Sequence, residues 1–101
     1  MPEEYTSLLG HYENRPYFLT VRVSPNFNHI TDFAVTVHYN DSEIENEVQI
    51  ARIDTAHGFM HLDKFFRPNE PKATFNGTIW DAIDRLSDNW RRYAESYENN
   101  R

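Results

Sequence analysis

Apolar and polar residues alternate over much of the first two-thirds of the chain, which is the pattern of strands with one buried face. Residues 17–23 and 32–39 show it most clearly, and further strands are predicted at 47–54 and 58–66. Residues 1–16 are polar with scattered apolar positions, so they are predicted to be an arm or a short edge element. The short connections between strands favour an antiparallel meander.

A different period begins after residues 67–76, a segment with two prolines that is predicted to be a loop. Over residues 78–97, apolar side chains recur at spacings of three and four, as on one face of an α-helix. Thr78 followed by Asp81 resembles a capping box at the start of this helix. The apolar stripe consists of Ile79, Ile83, Leu86, Trp90, Tyr93 and Tyr97.

The expected fold is α+β, with a four-stranded antiparallel β-meander and one C-terminal α-helix packed on one face. It forms a single domain over 1–101, with the sheet at 17–66 and the helix at 78–97. The helix side of the sheet is predicted to carry Leu19, Val21, Val23, Phe33, Val35, Val37, Val48, Ile50, Met60, Leu62 and Phe66. The opposite side is predicted to carry Phe18, Thr20, Arg22, Thr36, His38, Ile53, Phe59, His61 and Asp63.

Composition narrows the class of protein. The absence of Cys excludes a disulfide scaffold, a thiol nucleophile and a Cys-type zinc site. No apolar run is long enough to span a membrane, and the N-terminus lacks a signal-peptide pattern, so we expect a cytoplasmic protein. Sixteen acidic and ten basic residues give a net charge of −6, which disfavours nucleic acid as a partner without excluding a local contact.

The densest group of polar side chains lies at 52–63, around a predicted tight hairpin that contains Arg52, Asp54, His57 and His61. Histidine suits proton transfer near neutral pH, aspartate can orient an imidazole, and arginine can bind phosphate. If His57 is still in a strand, it lies about 13 Å from His61 along the chain, which is too far for both to bind one metal ion. We therefore predict no metal site here, and with only three Gly in the chain and no glycine-rich phosphate loop we predict no cofactor.

His61 and Asp63 lie closer, about 6.6 Å apart between their Cα atoms. They could share a site, with His38 or Arg22 reaching in from neighbouring strands. A structural role competes with this interpretation, because aspartates at hairpin tips often accept turn hydrogen bonds and histidines on sheets often serve packing.

The spacing Arg-x-Asp-x-Ala-His-Gly-x-x-His, from Arg52 to His61, resembles the motif of small proteins related to the TumE toxins of bacterial and archaeal toxin–antitoxin pairs. The resemblance covers residues 48–66 best and departs at Asp63, where a basic residue or His is more usual. It implies a toxin–antitoxin or related stress-module component, with an antitoxin as partner.

On this hypothesis Arg52, Asp54, His57 and His61 form the catalytic set. His57 or His61 acts as general acid or base in phosphodiester cleavage, and Arg52 steadies the phosphate. The alternative is a non-enzymatic interaction module that homodimerises, or binds a protein partner, through the sheet face that the helix leaves free. Because that face mixes polar and apolar residues, we expect a homodimer.

Overall fold

The computed structural model describes residues 2–41, 46–55, 60–65, 73–74 and 76–99. Its elements are β1 (Glu3–Tyr12), β2 (Arg15–Asn26), β3 (His29–Asp41), β4 (Asn46–Asp54), β5 (His61–Lys64), β6 (Ala73–Thr74) and α1 (Ile79–Asn99). The strands form one antiparallel sheet in chain order. The predicted α+β class and the C-terminal helix are confirmed. Among the described residues, no helix combines the length and apolar character that crossing a bilayer requires.

The predicted number of four strands is wrong. Within the described residues the sheet has five strands of four or more residues, and a two-residue sixth lies within the segment predicted to be a loop. The extra long strand is β1, which replaces the predicted arm. It reaches β2 through a two-residue turn at Glu13 and Asn14, whose φ angles of 55° and 64° are those of a tight hairpin. A bulge between Leu8 and Gly10 interrupts the alternation of β1, so the strand was not recognisable from its pattern.

Helix α1 packs on one face of the sheet through the predicted stripe. Its buried residues are Ile79, Ala82, Leu86, Trp90, Tyr93 and Ala94, while Ile83 and Tyr97 are partly buried against the same core. The Trp90 ring lies 5.4 Å from that of Tyr17 between centroids. The capping box is also confirmed, because the Thr78 amide donates to Asp81 Oδ2 at 2.8 Å and the Asp81 amide donates to Thr78 Oγ1 at 3.4 Å.

The assignment of Ile53 to the face opposite the helix is wrong. The pairing between β3 and β4 shifts between Val37 and His38, which makes Ile50 an extra residue in β4. Beyond this bulge Ile53 lies opposite Val35, and its side chain is fully buried in the core below α1. Simple alternation failed because it assumed a regular strand, whereas a bulge reverses the phase of the residues that follow it.

Five other residues that were assigned to a face of the sheet are less clear than Ile53. Phe33, Val48 and Met60 pack against the helix-side core as predicted, although each is only partly buried. Phe59 and Phe66 lie outside the described residues.

Substituting Ile53→Ala should lower the free energy of unfolding by about 2–5 kcal/mol, because the side chain is removed from a closed core. Urea denaturation of the purified protein measures this loss. Ile30→Ala is the matched control, since Ile30 is only partly buried and should cost less. Equal, small losses at both positions would contradict the bulged register.

Candidate functional site

The sheet face opposite α1, which we call the open face, displays two rows of residues that run across the strands. The first row is Glu4, Arg22, Ala34, Asp54, His61 and Thr74. The second row is Thr6, Thr20, Thr36, Arg52 and Asp63. Polar side chains dominate both rows. The chemistry possible on the open face therefore depends on which polar side chains are neighbours.

Four charged or titratable residues meet where β4 and β5 pair, and we call Arg52, Asp54, His61 and Asp63 the hairpin cluster. Asp54 lies directly opposite His61, and Arg52 lies directly opposite Asp63. Residues opposed in this way have Cβ atoms about 4.5–5.5 Å apart, which is within reach for side-chain interaction. The register therefore brings Arg52, Asp54 and His61 close together. His57, the fourth predicted site residue, lies outside the described residues.

Arg52 is held in place from two sides. Its Nε atom lies 3.0 Å from Asp54 Oδ2, and its guanidinium carbon lies 5.4 Å from the centre of the Phe65 ring. The Nε–H bond does not point at a hydrogen-bond acceptor in the described part of the chain, so the contact with Asp54 is an ion pair. The side chain is 31% exposed, against 17% for Asp54. A partly exposed guanidinium has several other N–H groups with which to bind an anion.

The described residues include no group of three or more His, Asp or Glu side chains arranged to hold a metal ion. In the hairpin cluster, positively charged or protonatable side chains face carboxylates across the two strands. This arrangement suits proton transfer.

Two residues proposed to reach into the cluster from neighbouring strands do not do so. Arg22 shares a row with Asp54, but Ala34 on β3 separates them. His38 lies opposite Gln49 on β4 and bonds toward β2 instead, with its Nε2 atom 2.7 Å from Thr20 Oγ1. The expectation of a shared site with His61 is therefore wrong for both residues.

A separate polar chain extends from His38 to the edge of the sheet. Thr20 Oγ1 lies 2.7 Å from Thr6 Oγ1, and on the other side of the imidazole His38 Nδ1 lies 3.6 Å from Glu47 Oε1. The ring of Phe18 stacks on His38 at 5.8 Å between centroids. Four strands thus supply one line of side chains. Sequence reasoning had placed Thr20 and His38 on one face but had no strand to which Thr6 could be assigned.

Comparison with known proteins places the chain in a family. The family model described as Domain of unknown function (DUF7718) matches residues 1–101. The chain belongs to this family. No curated protein and no solved structure matches it.

His38 is a buried titratable group of the DUF7718 domain. Its side chain is only 7% exposed, and burial lowers its pKa below the ordinary value of 6.5, because a charged imidazole loses hydration there. The Glu47 carboxylate acts in the opposite direction but more weakly. From β2, Thr20 bonds to the ring and Phe18 stacks on it, and neither side chain carries a charge. His38 is thus neutral at pH 7 in the folded protein.

This burial makes the stability of the domain depend on pH. Below pH 6.5 the unfolded chain takes up a proton at His38 that the folded state resists, so stability should fall as the pH drops from 6.5 towards the lower folded pKa. His38→Gln should reduce the difference in melting temperature between pH 7.5 and pH 5.5. The exposed His29→Gln is the control and should retain the wild-type difference. An unchanged difference in His38→Gln would contradict a neutral, buried His38.

Proposed function

We propose that this protein is the active component of a small prokaryotic toxin–antitoxin or related stress module, and that its hairpin cluster performs acid–base chemistry on a phosphodiester. One observation carries the proposal. Arg52, Asp54 and His61, three residues of the motif that resembles the TumE-related proteins, lie in adjacent positions on the sheet face that α1 leaves uncovered. Side chains on that face are not covered by α1, so a substrate can approach them.

The roles follow from the chemistry of each side chain. His61 transfers the proton, because imidazole is the side chain suited to acid–base catalysis near neutral pH. Asp54, directly across from His61, orients the imidazole and stabilises its protonated form. Arg52 binds a non-bridging phosphate oxygen through its planar donors. His57 is the second acid–base residue of the proposed set, as the motif suggests.

The proposed reaction needs two proton transfers. A base removes the proton of the attacking hydroxyl or water as the new P–O bond forms. An acid gives a proton to the leaving oxygen as the old P–O bond breaks. Two histidines can fill these complementary roles, one starting neutral and the other protonated.

The charges of the domain limit how a substrate approaches. Arg52 is the only permanently positive member of the hairpin cluster, beside Asp54 and Asp63, and the whole chain carries a net charge of −6. A long duplex requires many positive contacts along its backbone. The proposed substrate is therefore a short or single-stranded segment that presents one phosphodiester to Arg52.

Induction of the wild-type chain in a bacterial host should arrest growth, whereas His61→Ala should not. Loss of a general acid or base usually lowers a rate by about 10²–10⁴-fold, which is enough to relieve toxicity. Asp54→Asn, which keeps the shape of the side chain, should weaken the arrest. The matched control is His29→Ala, since His29 is exposed and lies outside the hairpin cluster.

The variants must be compared at equal soluble expression. Arrest by every variant would remove the hairpin cluster from the mechanism. Growth without arrest by the wild type would contradict a toxin in that host.

One observation favours a second function, a non-enzymatic module that homodimerises through the open face. Leu8, which lies opposite Phe18 on that face, is 57% exposed. On this alternative, sedimentation velocity should show a dimer that Leu8→Glu converts to a monomer, with no growth arrest by the wild type. A monomeric wild type at micromolar concentration would exclude it.

A further inference from the structure

The polar chain across β1, β2, β3 and β4 places a hydroxyl, an imidazole and a carboxylate in line. Thr20 Oγ1 contacts one ring nitrogen of His38 at 2.7 Å, and Glu47 Oε1 lies 3.6 Å from the other. This is the order in which hydroxyl nucleophiles are activated in acyl-transfer enzymes, with the base between the nucleophile and an orienting acid. We propose that Thr20 is a nucleophile that accepts acyl groups from activated esters, with His38 as its base and Glu47 as the group that orients His38.

The neighbours of the imidazole favour one of its two tautomers, although His38 Nδ1 makes no hydrogen bond within the described residues. With the carboxylate of Glu47 beside Nδ1, the proton of the neutral ring belongs on Nδ1. Nε2 is then an acceptor, and the Thr20 hydroxyl donates to it. This is the arrangement in which a histidine can remove a proton from a hydroxyl. The distance to Glu47 is longer than a hydrogen bond, as is common before a substrate tightens such a site.

The surroundings of His38 keep it competent as a base. The residue is only 6% exposed, and the Phe18 ring stacked on it at an interplanar angle of 26° limits its rotation. A buried imidazole that stays neutral can accept the proton of Thr20 without first losing one to solvent. Position and protonation state therefore support the same role.

Thr20 itself can be reached by a small substrate. It is partly exposed, and its neighbour Thr6, bonded to it at 2.7 Å, is exposed at the edge of the sheet. Phe18 and Leu8 lie opposite each other one position along the same face. They offer an apolar surface to a short acyl chain, while the Thr6 hydroxyl is the donor beside the reacting oxygen. The expected substrates are esters of short apolar acids with good leaving groups.

Acyl transfer to Thr20 takes place in two steps. Thr20 Oγ1 forms a bond to the carbonyl carbon of the ester as its proton passes to His38 Nε2. The tetrahedral intermediate then breaks its bond to the leaving oxygen, which receives the proton from Nε2. Thr20 is left as an acyl ester, and water activated by the same imidazole can later release the acid.

The test uses the purified full chain with p-nitrophenyl acetate. Release of p-nitrophenolate should be accompanied by one acetyl group, located on Thr20 by tandem mass spectrometry. Thr20→Val and His38→Gln should each lower the rate by about 10²-fold or more. Thr20→Ser keeps the hydroxyl and should retain activity, which separates loss of the nucleophile from loss of the fold.

The matched control is Thr31→Val. Thr31 is exposed and its hydroxyl donates to the backbone oxygen of Ser24, so this variant should react as the wild type does. Acetyl groups on lysines or the amino terminus instead of Thr20 would overturn the proposal. So would an unchanged rate in Thr20→Val. Neither result bears on the hairpin cluster, whose test is growth arrest.

Discussion

The packing of α1 against one face of the sheet is the interaction on which the arrangement of all other side chains depends. Trp90 fits against Tyr17 and approaches Gly10 so closely that a Cβ at that position would lie 2.9 Å from its ring. At the far end of the helix, Arg15 bonds Glu98 at 2.6 Å and lies over the ring of Tyr39. Because α1 covers that face, Arg52, Asp54, His61 and Asp63 lie on the opposite one, whereas Lys64 pairs with Ala51 on the helix side.

The pattern of apolar residues predicted the elements whose structure is set within a single segment of the chain. Strands β2 and β3 and helix α1 were recognisable because their apolar residues repeat with a clear period. Strand β1 was not, because Gly10 breaks its alternation, and the reason for that break is a bulge against β2. The burial of Ile53 was hidden for a related reason, since the bulge in β4 depends on its pairing with β3, which the sequence of β4 alone does not show.

The hairpin cluster and the polar chain through Thr20 and His38 also differ in how far local sequence could predict them. The hairpin cluster comes from β4 and β5, which follow each other closely, so the spacing of Arg52, Asp54 and His61 was enough to suggest it. The chain through Thr20 and His38 draws one residue from each of four strands. Each of these residues is ordinary in its own segment, and only the register of the sheet brings them into line.

Because Ile50 is an extra residue in β4, the strand is one residue longer than its pairing with β3 requires. Ile50 has no register partner in β3, although its backbone oxygen accepts a hydrogen bond from the Phe65 amide at 3.0 Å. Loss of this residue would make the pairing with β3 regular, with Arg52 and Asp54 still on the open face and Ile53 still under the helix. A gain of one residue has no such outlet and would require a second bulge. The family should therefore tolerate shortening of this strand better than lengthening, even though shortening gives up the buried side chain of Ile50.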